Sequence, residues 1–245
     1  AAAAQLRHDA VHRAERAQPM TSYSGHVEPG GPPARRTVEH AGTRVAITKL
    51  SVGPMDNNCY VLTDVANGGA LVIDAANDAE RVLTAIGNAQ VSAVVTTHRH
   101  ADHWQALAEV ARATGAAVVH HEDDAAGIPV PAARTVDHGD TLTFGTVTVE
   151  VRHTPGHTDG SICLVLRATD GGGPTLTTHL FTGDTLFPGG PGKTQDATQF
   201  DRVMRSLREQ LFVLPDDTWV YPGHGDDTTL GAERDQLDHW QARGW

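Results

Sequence analysis

The sequence contains little cysteine and no long apolar run. Its two cysteines, Cys59 and Cys163, each lie in a short apolar run typical of a strand, where a free cysteine behaves as a small hydrophobic residue. A disulfide framework is therefore not indicated. No apolar stretch approaches the roughly 20 residues that a membrane span needs, and no secretory signal pattern opens the chain. We expect a soluble, cytoplasmic protein with no membrane partner.

Positive charge is scarce as well. The chain carries 19 Lys and Arg against 30 Asp and Glu, which gives a formal net charge of −11. Neutralising the phosphates of a nucleic acid requires a basic face, so we expect no nucleic-acid partner and a small-molecule substrate instead. The sequence does not predict an oligomeric state.

Hydrophobic residues make up 39% of the 245 residues, which is enough for a buried core. We predict an N-terminal arm at residues 1–36, because residues 1–19 hold almost no large apolar residue and the segment after them is rich in Gly and Pro. Met20 is a candidate for the biological start, so residues 1–19 need not be native. A single catalytic domain is predicted at residues 37–245.

Strand-like and helix-like patterns alternate along this domain in two similar halves. The predicted strands cover residues 46–52, 59–64, 70–74, 92–97, 116–120, 141–144, 146–154, 161–168, 175–183 and 219–222. The predicted helices cover residues 78–88, 103–114, 197–211 and 230–242. This alternation predicts an α/β (α+β) fold in which helices cover both outer faces of a β-sheet layer.

A dense group of potential metal ligands follows the predicted strand at residues 92–97. His98, His100, Asp102 and His103 lie within six residues, on the turn between this strand and a helix. On such a turn their side chains can converge on one point. Imidazole and carboxylate groups are the ligands expected for zinc, iron or manganese. A solvated polar turn is the alternative interpretation.

Three further ligand candidates, His157, Asp184 and His224, each follow a strand-like run and lie in a loop rich in Gly or Pro. Each loop is weak evidence alone. Together they place every candidate ligand at the end of a strand, where sheet enzymes build their sites.

The motif His-x-His-x-Asp-His at residues 98–103, followed in order by Gly-His, Gly-Asp and Gly-His, resembles the metallo-β-lactamase superfamily. The likeness is strongest to the glyoxalase II-like branch, and it covers about residues 45–240. It implies an αββα sandwich with the site at one edge of two sheets.

The resemblance also assigns three ligands to each of two divalent ions. One ion is held by His98, His100 and His157, and the other by Asp102, His103 and His224, with Asp184 bridging the two. Zinc is expected, with iron or manganese as alternatives. Two close divalent ions lower the pKa of a bridging water, so a metal-bound hydroxide is the expected nucleophile. Asp102 and Asp184 are the ligands expected to take part in catalysis.

Three residues are candidates for supporting roles. Asp74 resembles the acidic residue that the superfamily places behind its metal ligands, and a helix cap is the alternative interpretation. Trp104 either walls the pocket or packs in the core. Lys193, in a Gly-rich loop after Asp184, is a candidate anchor for an anionic substrate group, since related families have a Gly-Arg pair in a similar loop. The alternative for Lys193 is a solvated loop.

The remaining histidines of the strand-like and turn segments are interpreted as structural rather than metal-binding. These are His120, His121, His138, His153 and His179.

We predict a binuclear-metal hydrolase that acts on a thioester or ester, in the manner of hydroxyacyl-thiol hydrolases. Only 21 residues follow His224, so the C-terminal extension that grips glutathione in glyoxalase II is not expected, and the thiol carrier is left open. An iron-dependent persulfide dioxygenase is the main alternative, and a lactonase or a weak β-lactamase are further ones. β-Lactamases of the commonest class carry cysteine where this chain has Asp184, which disfavours that class.

Overall fold

The computed structural model describes residues 23–170 and 176–244, so most of the predicted N-terminal arm lies outside the described residues. The strands are β1 (Ala34–His40), β2 (Thr43–Val52), β3 (Asn57–Asp64), β4 (Gly69–Ile73), β5 (Gln90–Val95), β6 (Ala117–His120), β7 (Arg134–Thr135), β8 (Thr141–Phe144), β9 (Val147–His153), β10 (Ile162–Asp170), β11 (Leu176–Gly183), β12 (Leu186–Phe187), β13 (Gly190–Pro191), β14 (Trp219–Pro222) and β15 (Thr228–Thr229). The α-helices are α1 (Ala79–Ile86), α2 (Leu107–Thr114), α3 (Ala197–Ser206), α4 (Leu230–Arg234) and α5 (Leu237–Arg243).

Thirteen of these strands form one continuous hydrogen-bonded sheet, and β12 and β13 pair as a separate hairpin. The order along the sheet is β15-β14-β11-β10-β1-β2-β3-β4-β5-β6-β7, with β9 also pairing β10 and β8 pairing β9. Strand β1 joins the two halves of the protein, because it pairs with β2 along its length and with β10 through Val38 and Glu39.

The inner faces of the two halves pack against each other. Alternate residues of a strand point to opposite faces, so Leu71 and Ile73 of β4 face the inner core while Ala70 and Val72 face outward. The inner core joins both halves, since Val149 of β9 belongs to the same buried cluster as Leu71. Burial of these side chains is the main contribution to stability.

Helices cover both outer faces. In the first half, Val82 of α1 and Leu107 of α2 pack on the outward residues of β3 and β4. In the second half, Val203 of α3 and Trp240 of α5 pack on the outward residues of β10, β11 and β14. The layer order is therefore helix, sheet, sheet, helix, which confirms the predicted αββα sandwich. No helix within the described ranges is long and apolar enough to cross a membrane.

The predicted helices are broken more often than the periodicity indicated. Residues Ala101–His103 form a 3-10 turn ahead of α2, and α3 is followed by a π-helical turn at Leu207–Leu211. The predicted helix at 230–242 divides into α4 and α5 at Asp235 and Gln236. The two short strands of the β12–β13 hairpin and the strands β7 and β15 were not predicted, since runs of two residues carry no periodicity.

The predicted domain start near Thr37 falls inside β1, which begins at Ala34. The sequence from Tyr23 onward also contacts the domain. Val27 is buried, and Tyr23 packs against the inner core. The alternating apolar residues of β1 are few, so its strand character becomes visible only from its pairing with β2.

Candidate metal centre

All seven predicted ligands converge at one edge of the sandwich. His98 and His100 lie in the loop after β5, and Asp102 and His103 lie in the following 3-10 turn. The other three follow strands in the second half: His157 after β9, Asp184 after β11 and His224 after β14.

Three imidazoles form the first group of ligand atoms. Nε2 of His98 lies 3.1 Å from Nδ1 of His100, and Nε2 of His157 lies 2.9 Å from the same atom. His98 and His157 are buried, and His100 is half-buried. We name His98, His100 and His157 the three-histidine group.

Asp102, His103 and His224 form a second group beside the first. Nε2 of His224 lies 3.2 Å from Oδ2 of Asp102 and 3.2 Å from Nε2 of His103. Asn57 donates an amide hydrogen bond of 2.9 Å to Oδ2 of Asp102, which orients this carboxylate. We name Asp102, His103 and His224 the mixed group.

Asp184 lies between the two groups. Its Oδ1 is 3.3 Å from Nε2 of His103 in the mixed group, and its Oδ2 is 3.6 Å from Nε2 of His157 in the three-histidine group. Oδ1 is buried without a hydrogen-bond partner among the described residues. One carboxylate therefore faces both groups.

The outward ring nitrogens are bound to protein oxygens. Nδ1 of His157 donates to the carbonyl oxygen of Lys193 at 2.6 Å, and Nδ1 of His224 donates to that of Met55 at 2.9 Å. These bonds place the proton on Nδ1 and leave the lone pair of Nε2 facing inward, the arrangement found around metal-bound histidines.

The donor set fits two divalent cations. Two of the three ring nitrogens lie about 3 Å from the third, which is close to the spacing of ligand atoms around a single zinc ion, and imidazole nitrogens are zinc ligands. Burial lowers the pKa values of His98 and His157, with repulsion from His103 adding to the effect, so both are neutral and ready to bind a metal. Burial opposes ionisation of Asp184, but His103 outweighs it and holds the pKa of Asp184 well below its ordinary value.

Asp74 lies behind the ligands. Its Oδ1 accepts a 2.7 Å hydrogen bond from the amide of Thr97, and its Oδ2 accepts one of 2.8 Å from Oγ1 of Thr97. Nδ1 of His103 lies 2.9 Å from Oδ2 of Asp74. The alternative cap role does not apply, since the N-cap position of α1 is Asp78.

Trp104 and Lys193 take different positions around the centre. Trp104 donates its indole N–H to the carbonyl oxygen of Arg99 at 2.9 Å and packs against the outer core of the first half, which favours packing over substrate contact. Lys193 is exposed, and it lines a cavity of about 310 Å³ together with Phe200 and Arg243.

Two polar residues outside the predicted site, Asn58 and Lys49, hold the loop of His224. Asn58 donates hydrogen bonds of 2.9 Å to the carbonyl oxygens of both Pro222 and Gly225. Nζ of Lys49 is buried and donates to the carbonyl oxygen of Gly225 and to Oδ1 of Asp227, each at 2.7 Å. A lone lysine inside the apolar run of β2 was the available signal.

Among the histidines interpreted as structural, the side chains of His120, His121, His153 and His179 contact other protein atoms. His121 and His153 stack with ring centroids 4.0 Å apart, and together with Asp123 they form a further group of potential ligand atoms. Nδ1 of His121, however, already accepts the amide hydrogen of Asp123, and Nε2 of His153 contacts the carbonyl oxygen of Asp159 at 2.8 Å. These contacts agree with a structural role.

Comparison with known proteins places these features in a family. The model of the metallo-beta-lactamase superfamily matches residues 52–224. An uncharacterized protein of Mycobacterium leprae is 36% identical over 77% of this chain and 95% of its own length. A hydroxyacylglutathione hydrolase of a Polaromonas species is 38% identical over 67% of this chain and 60% of that enzyme.

A solved structure supports the same assignment. BLEG-1, a B3 metallo-beta-lactamase, superposes with a TM-score of 0.66 at 27% identity, over 77% of this chain and 96% of that one. The superfamily match spans every residue of the three-histidine and mixed groups together with Asp184. The chain therefore belongs to the metallo-beta-lactamase superfamily.

Proposed function

We propose that this protein is a hydrolase that uses two divalent metal ions, zinc by preference, to cleave a thioester or a related ester. The observation that carries the proposal is the position of Asp184, which faces both ligand groups with one carboxylate. The named activity of the Polaromonas relative supports the thioester class.

Each ligand group would hold one ion, with Asp184 bridging them. When bound, two ions in these adjacent groups would supply an activated water and polarise the substrate carbonyl. The protein orients the ligand side chains and keeps them in the protonation state that binds a metal. The carboxylate of Asp184 would bind as the anion, and its negative charge would offset the repulsion between two cations. Asn57 keeps Asp102 in place by its hydrogen bond.

We propose that the carrier part of the substrate is anionic. The cavity at Lys193 contains a second cation, Arg243, at the end of α5, and the ring of Phe200 supplies an apolar wall. Gly192 adjoins this cavity and lies against the main chain of Asp184, which brings the cavity next to the ligand groups. A thiol carrier with a carboxylate or phosphate fits two cations beside an apolar surface.

Metal analysis combined with a substrate screen tests the proposal. Metal-free protein is reconstituted with Zn²⁺, Fe²⁺ or Mn²⁺ and assayed on thioesters with anionic and neutral carriers, on lactones, on β-lactams and on persulfides. We expect two ions per chain and fastest turnover of anionic thioesters. One iron per chain with oxygen uptake on a persulfide would overturn the hydrolase assignment, and fastest turnover of a lactone or β-lactam would overturn the thioester assignment.

A further inference from the structure

A buried aspartate outside the ligand groups contacts two of the ligand loops. Asp124 lies in the 3-10 turn at Glu122–Gly127, which follows β6, and its side chain is fully buried. Burying a carboxylate costs free energy unless it is paired and hydrogen-bonded. The partners of Asp124 must therefore compensate for its burial.

Each carboxylate oxygen of Asp124 accepts two hydrogen bonds. Oδ2 accepts from the amide of Arg99 at 2.8 Å and from Oγ1 of Thr158 at 2.6 Å. Oδ1 accepts from Nη1 of Arg99 at 2.7 Å and from the amide of Gly160 at 3.0 Å. The guanidinium of Arg99 compensates the buried charge.

These donors flank the three-histidine group on both sides. Arg99 stands between His98 and His100, and Thr158 directly follows His157. The carboxylate of Asp124 thus joins the loop after β5 to the loop after β9. A main-chain bond of 3.0 Å from the amide of Ile162 to the carbonyl oxygen of Thr97 also links the first loop to the start of β10, where the second loop ends.

The packing around Asp124 leaves little freedom. A Cβ atom added to Gly160 would stand 2.7 Å from the amide nitrogen of Asp124, and one added to Gly127 would stand 2.7 Å from Cβ of Arg99. Both contacts are closer than real Cβ atoms come, so the two glycines permit the close approach of these segments.

We propose that Asp124 is a positioning residue for the metal ion of the three-histidine group. Asp124 fixes the loop after β5 against the loop after β9, so that the nitrogens of His98, His100 and His157 are already close together in the metal-free protein. This inference rests on the proposed ligand assignment. Residues that orient metal ligands change metal affinity by about 10- to 100-fold when they are replaced, and we expect an effect of this size.

The test measures metal affinity at the three-histidine group alone. In a His224→Ala background the mixed group is incomplete, and Zn²⁺ binding is followed by competition with a chelator. Asp124→Asn is compared with Asp123→Asn, the adjacent carboxylate, whose side chain is 56% exposed. We expect Asp124→Asn to weaken Zn²⁺ binding by about 10- to 100-fold and Asp123→Asn to change it less than threefold.

Thermal unfolding of the metal-free variants separates positioning from general stability. A lower unfolding temperature with unchanged Zn²⁺ affinity would overturn the proposal. If Asp124→Asn does not fold, Thr158→Val removes a single donor to the same carboxylate. A loss of Zn²⁺ affinity of about three- to tenfold in Thr158→Val, the effect of one lost hydrogen bond, supports the proposal, and an unchanged affinity overturns it.

The outcome is independent of the substrate. A wild-type protein that binds two ions but hydrolyses no ester contradicts the proposed function and leaves the role of Asp124 intact. A wild-type hydrolase whose Asp124→Asn variant binds Zn²⁺ as tightly as the control contradicts the role of Asp124 alone.

Discussion

Nδ1 of His103 lies 2.9 Å from Oδ2 of Asp74, and this contact joins the end of β4 to the 3-10 turn of the mixed group. Asp74 also has a positive φ of 52°, a backbone conformation that a residue other than glycine adopts at a cost. This strained backbone position lets the Asp74 carboxylate contact both His103 and Thr97.

Asp74→Asn should weaken metal binding at the mixed group by about 10- to 100-fold, because an amide cannot accept from both Thr97 and His103 as the carboxylate does. The measurement is Zn²⁺ stoichiometry and affinity by chelator competition. Asp78→Asn is the matched control, since Asp78 lies in the same loop without a side-chain cap bond. Equal affinities in the two variants would contradict the supporting role of Asp74.

Asp184→Ala should lose both metal occupancy and hydrolysis, because it leaves two cations facing each other without a bridging charge. Metal content by elemental analysis and turnover of a thioester check this together. Full metal content with retained turnover would refute the bridging assignment. Asp196→Ala, at the N-cap of the nearby α3, controls for the loss of a carboxylate in this part of the chain.

Lys193→Ala should raise the KM for an anionic thioester by about tenfold, the effect of removing one hydrogen bond to a charged group. The KM for a neutral thioester should stay the same, because the charge of Lys193 has no partner on that substrate. Arg205→Ala, which lies outside the Lys193 cavity, is the control variant. An equal change in KM for both substrates would argue against an anchoring role.

Lys49→Met should lower the free energy of unfolding by about 3–5 kcal/mol, because it leaves Asp227 buried without its ion-pair partner. Chemical denaturation measures this, with Arg44→Met as the exposed control on the same strand. The double variant Lys49→Met/Asp227→Leu should recover most of the loss. If it does not, the loss comes from packing rather than from the unpaired charge.

His179 should make the protein less stable in acid. Burial, with repulsion from Arg36, lowers the pKa of His179 from 6.5 to about 3, so the unfolded chain binds a proton that the folded chain excludes. The stabilisation is complete above pH 6.5 and is lost as the pH falls towards 3. Between these limits the loss from this group amounts to roughly 4–5 kcal/mol.

Denaturation of the metal-free protein between pH 7 and pH 4 checks the role of His179. The slope of the unfolding free energy against pH should be smaller in His179→Gln than in the wild type. His138→Gln, at an exposed histidine, should keep the wild-type slope. Identical slopes in all three proteins would show that His179 does not contribute.

The sequence by itself determined the family, the αββα class and the candidate ligands. This was possible because the ligands lie in short motifs that each follow an apolar run. Such motifs can be recognised from residues that are adjacent in the sequence. The strands at residues 141–144 and 219–222 were predicted with their observed ends, since alternating apolar residues mark the first and a continuous apolar run marks the second.

Only the tertiary structure decided which polar residues hold the ligands in place. Asp124, Asn58 and Lys49 contact the ligand loops from positions 25 to 176 residues away along the chain. A single sequence does not show such contacts, because a buried carboxylate or amide looks the same as a solvated one until its partners are known. The lone lysine in the apolar run of β2 marks Lys49 as unusual but does not show what it binds. The 3-10 turn at Ala101–His103 has the same cause, since the ligand contacts of Asp102 and His103 outweigh local helical periodicity there.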